Sequence, residues 1–77
     1  MIKITSINHY CSQEKLKKLA IKSGFLVGGG KRHLKVRRNK DEKPITGIPR
    51  HTTIKKFTAE EIIKILIKNG AKIEIQK

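Results

Sequence analysis

One histidine lies in a basic, alternating stretch that directly follows three consecutive glycines. The sequence GGGKRHLKVRR contains it, and from His33 onward polar and apolar residues alternate. An extended strand would send Leu34 and Val36 toward a core, so that His33, Lys35 and Arg37 would share the polar face. A neutral imidazole can accept a proton near pH 7, and neighbouring cations can hold a phosphodiester. The stretch therefore favours proton transfer beside a bound phosphate.

The chemistry that this arrangement suits is attack by a ribose 2′-hydroxyl on its own phosphate. His33 would take the hydroxyl proton, a step that is typically worth about 10² to 10⁴ in rate. Cations would hold the phosphate and stabilise charge on its non-bridging oxygens, and an arginine fork suits that role better than a lysine. The residues we expect to contact RNA are Lys31, Arg32, Lys35, Arg37, Arg38, Arg50 and His51.

Two of these assignments have alternatives. His51 would act as a second acid or base, or it would orient the loop that leads into the last helix; the second role is favoured. The cations could also bind a nucleic acid backbone without any chemistry, with an affinity that falls as salt rises. His9 has no supporting context.

Composition limits the classes of protein and partner. The chain has 77 residues, 19 Lys and Arg against 6 Asp and Glu, a net charge of +13 and a pI of about 10.3. We expect one domain, residues 1–77, with a thin core and a polyanionic partner: nucleic acid, an acidic membrane surface or an acidic protein. Apolar runs are too short to span a membrane, and we expect no signal peptide.

The chain offers little for other kinds of site. Its one cysteine, Cys11, predicts a reduced, half-buried thiol in a cytoplasmic protein. The histidines, the cysteine and the few carboxylates lack the spacing of metal ligands, so we expect neither a metal nor a cofactor. The glycine run lacks the Lys-Ser or Lys-Thr that follows in a phosphate-binding loop.

Two helices are predicted. Ser12 is a good N-cap for a helix over residues 13–23 that Gly24 ends. The sequence Thr58-Ala59-Glu60-Glu61 matches a capping box and predicts that the second helix spans residues 59–69.

Strands are expected between and around the helices. A three-stranded antiparallel meander is predicted over residues 25–27, 33–38 and 45–49. Residues 71–76 alternate and indicate a further strand, either on that sheet or offered to a partner, and residues 1–7 form an extended lead-in or edge strand. Together the elements predict an α+β fold.

The order of these features resembles the HicA family of toxin ribonucleases. The similarity runs from about Glu14 to Gly70: an amphipathic helix ending in Gly24-Phe25, a glycine turn into HLKVR, then Ile48-Pro49-Arg50-His51 and a final helix. One departure is that Gly30 is followed by Lys31-Arg32, where the family has a small polar residue. The tail of residues 71–77 also extends beyond the helix at which many members stop.

This resemblance implies a fold and a function. The fold would be like that of a double-stranded RNA-binding domain, α-β-β-β-α with both helices on one face of the sheet. The activity would be metal-independent cleavage of messenger RNA, single-stranded or folded, with His33 as the catalytic histidine. The protein would be the toxin of a type II toxin-antitoxin system, and a HicB-type antitoxin would neutralise it by covering this site.

Two other functions are weighed against this one. A non-catalytic RNA-binding module of the same fold would bind RNA with a steep salt dependence and leave it intact. A small DNA-binding protein is less favoured, because the second helix carries mostly apolar residues and shows no recognition-helix pattern.

Overall fold

A computed structural model of the protein describes residues 2–30 and 32–76. The fold is α+β, with two helices, a three-stranded antiparallel sheet and a separate pair of parallel strands. The elements in chain order are β1 (Ile2–Ile4), a 3₁₀ turn (Ile7–Tyr10), α1 (Gln13–Lys22), β2 (Leu26–Gly28), β3 (His33–Arg37), β4 (Thr46–Pro49), α2 (Lys56–Lys68) and β5 (Ile73–Ile75).

The predicted meander is confirmed, with β3 at its centre. Val27 of β2 lies opposite Val36, and Ile48 of β4 lies opposite Leu34. Leu34 and Val36 are buried, and their neighbours on β3 alternate to the other face. Pro49 lies on β4, an edge strand of the described sheet, where its missing N–H costs no ladder hydrogen bond.

Both helices pack on the apolar face of this sheet. The buried cluster combines sheet residues with the apolar stripes of the two helices. Its members from these elements are Leu16, Leu19 and Ala20 of α1, Leu34, Val36 and Ile48 of the sheet, and Ala59, Ile62, Ile63 and Leu66 of α2. The opposite face of the sheet carries His33, Lys35, Arg37 and the exposed Leu26.

The helix starts differ in how well the sequence predicts them. Ser12 caps α1 as expected, because its Oγ accepts a hydrogen bond from the backbone N–H of Lys15 at 3.2 Å. The capping box predicted for the second helix is wrong: α2 begins at Lys56, and its N-cap, Lys55, makes no side-chain cap bond. Ile54 and Ala59 are both buried. They flank the start as a hydrophobic staple, so burial of Ile54 sets the first turn.

The C-terminal strand is confirmed, but its predicted place on the three-stranded sheet is wrong. β5 does not join the three-stranded sheet; it runs parallel to β1, with Ile2 opposite Ile73 and Ile4 opposite Ile75. Ile4 and Ile73 enter the core cluster. The two chain ends therefore bury their isoleucines together. Within the described ranges, neither helix is both long and apolar enough to cross a bilayer.

Candidate functional site

His33 is exposed at the start of β3, on the face of the sheet that carries no helix. Its neighbours on that face are Lys35, which is exposed, and Arg37, which is half-buried. Across the ladder His33 lies opposite Pro49. The predicted placement of the histidine on a cationic, solvent-facing surface is therefore confirmed. We call the surface formed by His33, Lys35, Arg37 and their cross-strand neighbours the open face.

Gly47 leaves space for the imidazole on the open face. It lies opposite Lys35 on β4, and a Cβ added there would be only 3.1 Å from the Cβ of His33 and 3.6 Å from its Cγ. The contact with the Cβ atom is tighter than usual, so a larger residue would shift the His33 side chain by a few tenths of an ångström. The missing side chain thus allows the ring to lie against the backbone of β4.

The glycine turn before His33 is fixed by its own conformation and by an arginine. Gly30 has φ of +91°, and a Cβ there would overlap the backbone carbonyl oxygen of His33. Nη2 of Arg50 donates a hydrogen bond to the carbonyl oxygen of Gly30 at 2.9 Å. The backbone N–H of Arg50 donates a second hydrogen bond to the carbonyl oxygen of Arg32 at 3.3 Å. The end of β4 therefore holds the segment that leads into β3.

The structure brings some of the predicted RNA-binding residues together and separates others. Arg32 and Arg50, both exposed, meet through their backbones next to His33. Arg38 follows the end of β3, and its Nε lies 3.9 Å from Oε2 of Glu42, so this cation is partly neutralised outside the open face. Lys31 lies outside the described residues.

His51 lies in the loop after β4, and its backbone contributes to holding that loop. Its side chain is exposed, and its carbonyl oxygen accepts a hydrogen bond from the backbone N–H of Gln13 at 3.3 Å. The N–H of Ile54 donates to the carbonyl oxygen of Cys11 at 3.0 Å. These two bonds tie the loop after β4 to the start of α1. Cys11 itself is half-buried, as predicted, with a free thiol.

The chemistry available at the open face is that of one imidazole and several cations. Among residues 2–30 and 32–76, no group of three or more His, Cys, Asp or Glu side chains is arranged to hold a metal ion. In the same part of the chain, no side chain is hydrogen-bonded to the His33 ring. The ring is therefore free to contact a ligand on the solvent side.

Sequence reasoning missed three residues around this surface. Gly47 was interpreted only as part of a strand, although its position opposite Lys35 follows from the register. Leu26, opposite Arg37, is 48% exposed on the open face. Lys40, in the turn after β3, borders the same region. Cross-strand register would have identified the first two, whereas the position of Lys40 depends on the conformation of the turn.

Comparison with protein-family models, curated proteins and solved structures found no match to this chain. The function of the candidate site is therefore inferred from its geometry and charge alone.

Proposed function

We propose that the protein is a metal-independent endoribonuclease in which His33 moves the proton. The observation that carries the proposal is the placement of an exposed imidazole on a cationic sheet face, with Gly47 leaving the ring room against the backbone. A net charge of +13 supports a polyanionic substrate. A chelator should leave such an activity intact, because the imidazole acts without a metal.

The reaction would run as an internal transesterification. His33 takes the proton of a ribose 2′-hydroxyl, and that oxygen attacks the adjacent phosphorus while the bond to the 5′-oxygen of the next nucleotide breaks. The leaving 5′-oxygen takes a proton from water, which reaches the open face freely, and the imidazolium returns its proton to water. The products are a 2′,3′-cyclic phosphate and a 5′-hydroxyl.

The cations have separate tasks in this scheme. Lys35 and Arg37 share the face of His33 and would hold the phosphates of the RNA strand along β3. Arg32 and Arg50 flank the imidazole at the other end and would stabilise charge on the non-bridging oxygens. Lys31 is included among the proposed RNA-binding residues only because it lies two positions before His33 in the sequence.

The proposed biological role is that of a HicA-like toxin. The order of helix, three antiparallel strands and helix supports a fold like that of a double-stranded RNA-binding domain, and the glycine turn before His33 supports the likeness to the toxin family. In this proposal messenger RNA in the cytoplasm is the substrate. A HicB-type antitoxin with an acidic surface would neutralise the toxin by covering the open face.

The test is cleavage of an end-labelled single-stranded RNA by the purified protein in the presence of a chelator. We expect products with 2′,3′-cyclic phosphate ends, no cleavage of the DNA of the same sequence, and a loss of about 10² to 10⁴ in rate for His33→Ala. His9→Ala is the matched control, because His9 is exposed in the turn before α1. Its ring contacts the Tyr10 ring edge-on, with the two ring centroids 5.3 Å apart. Equal rates for the wild type and His33→Ala would refute the catalytic role.

A non-catalytic RNA-binding module is the second candidate. It is favoured by one observation: in the described part of the chain, no second side chain orients the imidazole by a hydrogen bond. Such a module would bind the same RNA with a salt-dependent affinity and leave it intact after long incubation. The cleavage assay therefore separates the two candidates.

A further inference from the structure

A cavity of about 210 Å³ lies along β2, an edge strand of the described sheet. Its lining residues are Leu26, Val27, Gly28, Gly29, Arg37 and Lys40. Leu26 offers an exposed aliphatic side chain, whereas the Val27 side chain packs against the core. Sites for drug-sized ligands have roughly 300 to 1,000 Å³. This cavity is smaller, so it suits one planar ring system rather than a whole nucleotide.

The cavity is continuous with the open face. Leu26 lies opposite Arg37 in the ladder, so the two side chains share the face that carries His33. His33 and Arg37 are four residues apart on one strand, which places them about 13 Å from each other. An RNA strand that follows β3 would therefore bring a nucleotide to the cavity a few positions from the phosphate at His33.

Among the described residues, nothing requires a glycine at position 28. Its φ is not in the left-handed region, and a Cβ added there would meet none of the described atoms within 4 Å. Folding would tolerate a larger residue at this position. The missing side chain instead leaves the backbone of the edge strand open to a ligand, whose polar edge could bond to N–H and C=O groups that face away from β3.

We propose that this cavity binds one base of single-stranded RNA. Leu26 contacts the ring, backbone groups on the free edge of β2 bond to the edge of the base, and Arg37 and Lys40 hold the flanking phosphates. A base paired in a duplex cannot enter, so the cavity selects unpaired RNA. The position of the cavity relative to the scissile bond rests on the proposed nuclease function, whereas base binding itself does not.

The test uses the full chain and a single-stranded RNA oligonucleotide whose riboses are 2′-O-methylated, so that it cannot be cleaved. Fluorescence anisotropy at fixed salt measures its affinity, and polyphosphate serves as a base-free polyanion. We expect Gly28→Val and Leu26→Ser to weaken oligonucleotide binding by roughly fivefold to tenfold, the size expected for losing part of one aliphatic contact. Polyphosphate binding should be unchanged, because neither substitution alters charge.

Matched substitutions control for surface changes. Ile21→Ser removes another exposed aliphatic side chain, 52% exposed on α1, and should bind both probes like the wild type. Lys40→Ala should weaken RNA binding more than Lys43→Ala, which removes the same charge from the same loop outside the cavity.

The outcomes separate this proposal from the nuclease activity. A protein that shows this binding pattern but never cleaves unmodified RNA would keep the base site and refute the nuclease. Unchanged oligonucleotide affinity in both Gly28→Val and Leu26→Ser would overturn the base site even if the wild type cleaves RNA. An equal loss of polyphosphate binding would overturn it too, since the cavity would then act through charge alone.

Discussion

Arg50 and Gly30 are joined by a hydrogen bond of 2.9 Å from Nη2 of the guanidinium to the carbonyl oxygen of the glycine, across a separation of 20 residues. The bond joins the end of β4 to the turn that precedes His33 on β3. The backbone N–H of Arg50 also donates a hydrogen bond to the carbonyl oxygen of Arg32. Arg50 therefore both fixes the turn and brings a cation next to the imidazole.

We therefore expect Arg50→Lys to lower the rate of RNA cleavage while leaving RNA affinity almost unchanged. Lysine keeps the charge that dominates affinity but cannot reproduce the planar fork, and a small misplacement of catalytic groups can cost up to about 10² in rate. Cleavage rates and anisotropy on the same RNA would measure the two effects. Arg38→Lys is the control, and full activity of Arg50→Lys would show that the turn does not depend on this bond.

The second prediction concerns two of the three consecutive glycines that precede Lys31. Gly30→Ala should destabilise the protein by at least about 1 to 3 kcal/mol, because alanine is strained at φ of +91° and its Cβ overlaps the carbonyl oxygen of His33. The Cβ of Gly28→Ala would meet none of the described atoms within 4 Å, so the stability of this variant should be unchanged or higher by up to about 1 kcal/mol. Urea denaturation of both variants tests this, and equal stabilities would contradict it.

The sequence predicts the open face well because its signal is local. Alternation over His33, Leu34, Lys35 and Val36 has the period of a strand, and burial of the apolar pair leaves only one orientation for the histidine. Ser12 is likewise a local signal for the start of α1. Such features depend on neighbours along the chain and do not require knowledge of the packing.

The features that the sequence did not predict depend on contacts between distant residues. β1 and β5 come from opposite ends of the chain, and nothing in either strand specifies a parallel partner. The start of α2 depends on burial of Ile54, whose N–H is bound to the carbonyl oxygen of Cys11. The bond between Arg50 and Gly30 and the cavity beside Leu26 arise only when the sheet has formed.

The difference between the two helix starts gives the third prediction. Ser12→Ala should destabilise the protein by about 1 kcal/mol, because it leaves the N–H of Lys15 without its cap. Thr58→Ala should change stability by less than about 0.5 kcal/mol, because Thr58 lies inside α2 and caps nothing. The free energy of unfolding of a chain this size is about 4 to 12 kcal/mol, so both changes are measurable. A loss of stability for Thr58→Ala that exceeds the loss for Ser12→Ala would show that Thr58 caps the second helix after all.

The last prediction compares two adjacent arginines in RNA binding. Arg37 faces the open face, whereas Nε of Arg38 lies 3.9 Å from the Glu42 carboxylate beyond the end of β3. For a single strand, each phosphate neutralised adds about −0.7 to the slope of log affinity against log salt. Arg37→Gln should therefore make this slope less steep by about 0.7.

Arg38→Gln should change the slope by clearly less, because Glu42 already offsets part of that charge. Anisotropy of the uncleavable RNA across a salt series measures both slopes under the same conditions. An equal change in the two variants would mean that the RNA strand passes over the turn after β3 rather than along its polar face, and the placement of the substrate beside His33 would then be wrong.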